Sequence, residues 1–138
     1  MIEQNKEALR RWIIAFNERD WATMRSLIAD GNDYHGLGGE LHGAESFEQY
    51  IRSVLAGFPD WQCTLEDLLG EGDRCAWRCR WRGTHTGNFM GTPATGKRVE
   101  IVTIGIGRFE NGKVAEIWER GDSPLQQIGA VPTAASAG

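Results

Sequence analysis

The chain has 138 residues, 41% of them hydrophobic and 25% charged, the balance of one soluble globular domain rather than of a disordered or fibrous chain. Its formal net charge of −4 argues against a phosphate-tracking surface, because nucleic-acid affinity rests on Lys and Arg neutralising phosphates. Membrane insertion is also disfavoured, since no stretch reaches the roughly 20 apolar residues of a span. The opening Met1-Ile2-Glu3-Gln4-Asn5 lacks the basic start and apolar run of a signal peptide, so a cytoplasmic location is expected.

Leu9, Trp12, Ile13 and Phe16 recur at three- and four-residue spacing between Asn5 and Asn17, which predicts an amphipathic helix with one buried stripe. Asp20 is placed to cap a second helix carrying Trp21, Met24, Leu27 and Ile28 on its apolar face and ending at Gly31. The Gly-rich stretch from Asp33 to Gly43 predicts a short strand near Tyr34 and then loop. A third helix from Ala44 to Leu55 turns Phe47, Tyr50, Ile51, Val54 and Leu55 to one side, pairs Glu48 with Arg52, and stops at Gly57 and Pro59.

Beyond Pro59 the period changes from 3.6 to 2. Gln62 to Gly70 reads as a strand, Gly72-Asp73 as a turn, and the next strand alternates Cys75, Trp77, Cys79 and Trp81 with Ala76, Arg78, Arg80 and Arg82. The arginine face reads as a solvated or interface face in preference to an anion site. Cys75 and Cys79 on one strand lie about 13 Å apart, too far for a disulfide, so Cys63, Cys75 and Cys79 are expected as reduced core thiols, with no Cys/His spacing that holds a metal. Val99 to Phe109 is nearly continuously apolar or small, the pattern of a strand covered on both faces, with Gly105 and Gly107 allowing a bulge or bend. Asn111-Gly112 predicts a hairpin turn, Val114 to Glu119 a last strand, and Ser123 to Ile128 a short helix; the domain is drawn over residues 1–131, with 132–138 as a flexible tail.

Helices first and long antiparallel strands afterwards predict an α+β fold, a curved sheet wrapped around N-terminal helices and enclosing a pocket. Gly83-Thr84-His85-Thr86-Gly87-Asn88-Phe89-Met90-Gly91, followed by Pro93-Ala94-Thr95-Gly96-Lys97, resembles the strand-to-strand loop of the SnoaL-like polyketide cyclases of the nuclear-transport-factor-2-like superfamily. Ile106-Gly107-Arg108-Phe109, Asn111 to Val114, Glu116-Ile117-Trp118, Asp122 and Gln127-Ile128-Gly129 resemble the C-terminal signature of the same family. The resemblance implies a cone-shaped, barrel-like sheet of antiparallel and mixed strands, and a homodimer packed through the sheets. It further implies a cofactor-free enzyme that closes a ring in a small apolar or polycyclic carbonyl substrate by aldol condensation.

Asp122 falls at the position resembling the acid/base aspartate of such cyclases, and one carboxyl of suitable pKa both removes a proton beside a carbonyl and returns one to the alkoxide. Glu116, Trp118, Arg120 and Asp122 share parity, which would set the Trp118 indole beside the Asp122 carboxyl in the pocket. The competing role for Asp122 is that of a cap on the Ser123 helix. His85 shares parity with Trp81 and is placed either at the cavity mouth, polarising a carbonyl, or on a surface loop; His35, and less so His42, face the same choice. The expected pocket wall comprises Trp12 and Phe16 of the first helix, Tyr34, Phe47 and Tyr50, and then Phe58, Trp61 and Phe89. Six tryptophans exceed what a minimal core needs, in favour of a roomy aromatic cavity. Isomerisation or epoxide hydrolysis, with Glu116 as the second acid, and a noncatalytic binding module are the alternatives left open.

Overall fold

The first helix carries its apolar stripe inward and ends where its own arginine turns back on it. This computed structural model describes residues 1–129, so the domain limit drawn at 131 and the tail beyond it lie outside the described residues. The elements are α1 (Ile2–Glu18), α2 (Trp21–Ser26), β1 (Ile28–Gly36), β2 (Gly39–His42), α3 (Ala44–Gly57), β3 (Gln62–Glu71), β4 (Arg74–Thr84), β5 (Arg98–Glu110), β6 (Lys113–Gly121) and α4 (Pro124–Gln127). Arg19 caps α1 in the left-handed region (φ 60°), and its guanidinium donates to the carbonyls of Phe16, Pro59 and Trp61 at 2.8 Å each. Asn17 mimics a strand edge: its Nδ2 donates to the Cys63 carbonyl and its Oδ1 accepts from the Cys63 amide, both at 2.9 Å, which ties α1 to β3.

The strands form one curved, unclosed mixed sheet in the order β2-β1-β6-β5-β4-β3. All neighbours run antiparallel except β1 and β6, which pair in parallel with Tyr34 opposite Ile117. On the inner face α1 packs against β3 and β4, and α3 against β1.

Two stretches depart from the sequence reading. Leu27 and Ile28 do not extend α2, which ends at Ser26; β1 begins at Ile28, and Ile28 already pairs with Val114. A register shift between Ile28 and Asp33 breaks the alternation that would have announced this strand, and β2 is a four-residue partner in what reads as loop.

The second departure is β5. Its burial alternates strictly, so it is covered on one face only, and Ile104 and Ile106 remain 59% and 43% exposed on the outer side. Gly105 and Gly107 mark no bulge. They make room for the Trp77 ring lying across them from β4, since a Cβ on Gly105 would fall 2.5 Å from Trp77 Cε2; the bulge sits at Arg108/Phe109. The arginine face of β4 is ion-paired, Arg78 and Arg80 both reaching Glu66, at 3.2 and 2.9 Å. All three cysteines are free and buried, and no helix of the described residues is long and apolar enough to cross a membrane.

Candidate active site

Between the helices and the inner face of the sheet lies a cavity of about 170 Å³. Trp12 and Phe16 of α1, Phe47 and Tyr50 of α3, Tyr34 of β1, and Trp61 and Phe89 of the connecting segments border it. The aromatic rings pack against one another, Trp12 on Phe16 with centroids 5.6 Å apart and Phe16 edge-on to Trp81 at 5.3 Å. Phe58 is fully buried behind this wall, against Trp61, His85 and Phe89, and does not border the cavity.

Among the described residues, one ionisable carboxyl borders this apolar chamber, and it is Glu119 of β6. Glu119 is half-buried, on the same side of β6 as Ile117. Tyr34 Oη donates to Glu119 Oε1 at 3.0 Å, and the Thr103 and Trp77 side chains on the same cavity lining favour its ionised form. Burial pushes the Glu119 carboxyl above the usual carboxylate range, against the opposing pull of these three neighbours. Burial and the neighbouring Glu119 push the Tyr34 phenol up as well, and that of Tyr50 to about 12, so both stay protonated and able to donate. A carboxylate offers about four lone-pair sites. Tyr34 takes one, which leaves room for the neighbouring side chains and for the acid's own proton or a ligand's.

The residues expected to carry chemistry are placed elsewhere. Asp122 lies outside the cavity, exposed beyond the end of β6, where its Oδ2 accepts from the Val102 amide at 3.2 Å and its own amide donates to the Val102 carbonyl. It caps the strand edge, while Ser123 caps α4. Trp118 is on the outer face, stacked on His35 with centroids 5.7 Å apart and covered by the Arg74 guanidinium. The reason is parity. β6 turns Ile117 and Glu119 inward and Glu116 and Trp118 outward, the opposite of the expected assignment.

His35 accordingly faces away from the cavity, held between Glu40 at 2.5 Å and Glu116 at 2.8 Å. Glu40 and then Glu116 raise its pKa above the ordinary histidine value. Glu116 also approaches Arg108 at 3.5 Å and does not converge with Asp122 on a common water site. His42 pairs with Asp33 on the surface at 2.6 Å. His85 is neither at the cavity mouth nor on the surface. It is fully buried, its Nδ1 accepts from the Thr95 amide at 3.2 Å and contacts Thr95 Oγ1 at 2.9 Å, and it braces the 85–97 loop from inside.

Glu119 was missed because the apolar run of β6 breaks parity at Val114 and Ala115, both buried. The available signal was a lone acid two residues after the buried Ile117 on the same strand. Among the described residues no three His, Cys, Asp or Glu side chains gather in a way that would hold a metal ion.

The SnoaL-like polyketide cyclase family model matches residues 6–127. AclR of Streptomyces galilaeus, assigned as a hydroxylase, superposes with a TM-score of 0.83 at 27% identity, over 96% of this chain and 100% of that one. IdmH of Streptomyces antibioticus, assigned as a polyketide cyclase, superposes with a TM-score of 0.79 at 31% identity, over 92% and 99%. A SnoaL-like polyketide cyclase of Jannaschia superposes with a TM-score of 0.83 at 23% identity over 95% of each chain, a likeness of fold alone. A search of curated proteins finds no match.

Proposed function

The chain belongs to the SnoaL-like polyketide cyclase family, and from that premise we propose that it performs proton-transfer chemistry on an apolar, carbonyl-bearing small molecule held in the cavity, with Glu119 as both base and acid. The observation that carries this reading is the lone carboxyl on the cavity wall, desolvated and held by the Tyr34 hydroxyl. Desolvation makes its ionised form a stronger base than an exposed glutamate, nearer in proton affinity to a carbon acid beside a carbonyl.

In aldol ring closure Glu119 takes a proton from the carbon next to one carbonyl. The resulting enolate carbon bonds to a second carbonyl carbon of the same molecule, and the alkoxide so formed recovers the proton from Glu119. The carboxyl ends as it began. Tyr34 holds it in place from Oε1. The apolar aromatic walls suit a flat, uncharged ligand, since among the described residues no Lys, Arg or His stands on the lining to neutralise a ligand's charge.

The test is hydrogen–deuterium exchange at the carbon beside the carbonyl, followed by mass spectrometry, with fused-ring ketones first selected as ligands by thermal shift. Glu119→Gln is expected to abolish exchange while Asp122→Asn retains it. Loss in Asp122→Asn with retention in Glu119→Gln would return the role to Asp122, whose position resembles the family's aspartate. Binding without exchange in the parent protein would leave a noncatalytic binding module.

A homodimer through the outer sheet face belongs to the same reading. The exposed Ile104 and Ile106 form the apolar centre of that face, flanked by the ion pairs of Arg78 and Arg80 with Glu66 and of Arg108 with Glu116.

A further inference from the structure

Three adjacent strands bring a second hydrogen-bonding group to Glu119 in a particular way. On β4, Trp81 lies two residues beyond Cys79, which pairs with Thr103 of β5, and Trp81 Nε1 donates to Thr103 Oγ1 at 2.9 Å. Thr103 is 1% exposed and lines the cavity beside Glu119, its strand partner Gly121 lying two residues beyond Glu119 on β6. A hydroxyl has one hydrogen and two lone pairs. With the indole N–H on one lone pair, the hydroxyl's hydrogen is free to serve an acceptor, and the carboxyl is an acceptor within its reach.

We propose that Thr103 is a positioning residue of the site beside Tyr34, its hydroxyl aimed by Trp81 so that Glu119 is held with a lone pair open to the cavity. The inference rests on Glu119 being the acid/base group, and it adds which neighbour sets that group's direction. The backbone around it is tight: a Cβ on Gly121, which pairs with Thr103, would fall 2.8 Å from Thr103 Cα and 2.3 Å from the Val102 carbonyl oxygen. β5 and β6 therefore have little freedom to slide apart, and the hydroxyl stays where the carboxyl needs it.

The titratable groups that share the cavity lining with Glu119 are Tyr34 of β1, Tyr50 of α3 and Cys79 of β4, with Cys63 of β3 behind Cys79. Burial raises the two phenols, and a hydrogen bond with Cys79 and then burial raise the Cys63 thiol, so these three remain neutral across the working range and do not titrate together with the carboxyl.

The experiment follows the Glu119 carboxyl carbon by NMR in labelled protein, its signal assigned by its loss in Glu119→Gln. Titrations compare the parent protein with Thr103→Val, Thr103→Ser and Trp81→Phe. Removing a hydrogen bond that favours the ionised form raises the midpoint in Thr103→Val by about one pH unit, a tenfold gain in proton affinity. Thr103→Ser restores it, and Trp81→Phe raises it by less, because the hydroxyl remains but is free to turn. Equal midpoints in the parent and Thr103→Val, or a serine variant that behaves like the valine one, overturn the proposal. If Thr103→Val does not fold, an unmoved midpoint in Trp81→Phe overturns it equally. Failure here is separable from failure of the functional reading, which the exchange assay on Glu119→Gln decides alone.

Discussion

Glu119→Gln should change the dependence of stability on pH, and the sign follows from where the carboxyl sits. Burial raises the folded-state pKa of Glu119 above the unfolded value of about 4.3. Between those two values the folded protein holds a proton that the unfolded chain has released, so stability falls as pH rises through that window. One group contributes at most about 1.4 kcal/mol per pH unit there, and nothing beyond the folded value. The variant lacks this penalty, so the parent should lose ground against it across the window and then run parallel. In a chain of this size each kcal/mol is about 3–5 °C in Tm. The assay is urea unfolding followed by tryptophan emission, from about pH 4 to about pH 8. Glu71→Gln, at an exposed position on β3, serves as a control and should give a flat difference. If the parent and Glu119→Gln stay a constant distance apart over the whole range, Glu119 titrates like a surface acid and the case for a desolvated base is lost.

His35 has the same sign for a different reason, a favourable charge lost in place of a penalty incurred. Its two carboxylate neighbours raise the folded pKa, so its stabilisation is whole below about pH 6.5, the unfolded value, and is lost as pH rises through the folded one; the Tm gap between the parent and His35→Gln should close on going alkaline. Gly105→Ala drives a methyl into the Trp77 ring and should cost about 1–3 kcal/mol in urea unfolding. Asn17→Ala removes both hydrogen bonds to the Cys63 backbone and should cost about 2 kcal/mol, measured in the same way. Ile104→Glu with Ile106→Glu should convert a dimer to a monomer in light scattering without lowering Tm by more than a few degrees; an unchanged molar mass removes the outer face as the interface.

The helices and the β3–β4 hairpin were legible because each follows one period over many residues. The stripe of Trp12, Ile13 and Phe16 and the alternation from Cys75 to Trp81 are both long enough to outvote local exceptions. β1 was not legible, since its register shift hides the pairing of Ile28 with Val114, and β2 is too short to show a period. The apolar outer residues of β5 misled in another way: they read as buried, and in the isolated chain they face outward.

The aromatic residues from Trp12 to Phe89 were legible as interior from their content, though Phe58 lies behind the cavity. The acid was not, because one step of parity on β6 separates Glu119 from Trp118 and Asp122, and the bulge between Arg108 and Phe109 that affects the β5–β6 pairing has no separate signature in the residues. His85 illustrates a further limit. A histidine in a Gly-rich loop suggests exposure, yet the loop folds over it, and the Thr95 contacts that hold it there come from ten positions along the chain.

The parallel pairing of β1 with β6 has a consequence for how the molecule is made. Tyr34 and Glu119 are separated by 85 positions, and the register that joins them exists only once the last strand slots between β1 and β5. A nascent chain halted before β6 therefore carries the phenol but neither its carboxyl partner nor the Val114 and Ile117 side of the cavity wall. The two groups meet only with the final insertion, even where the helices and the hairpin have already formed.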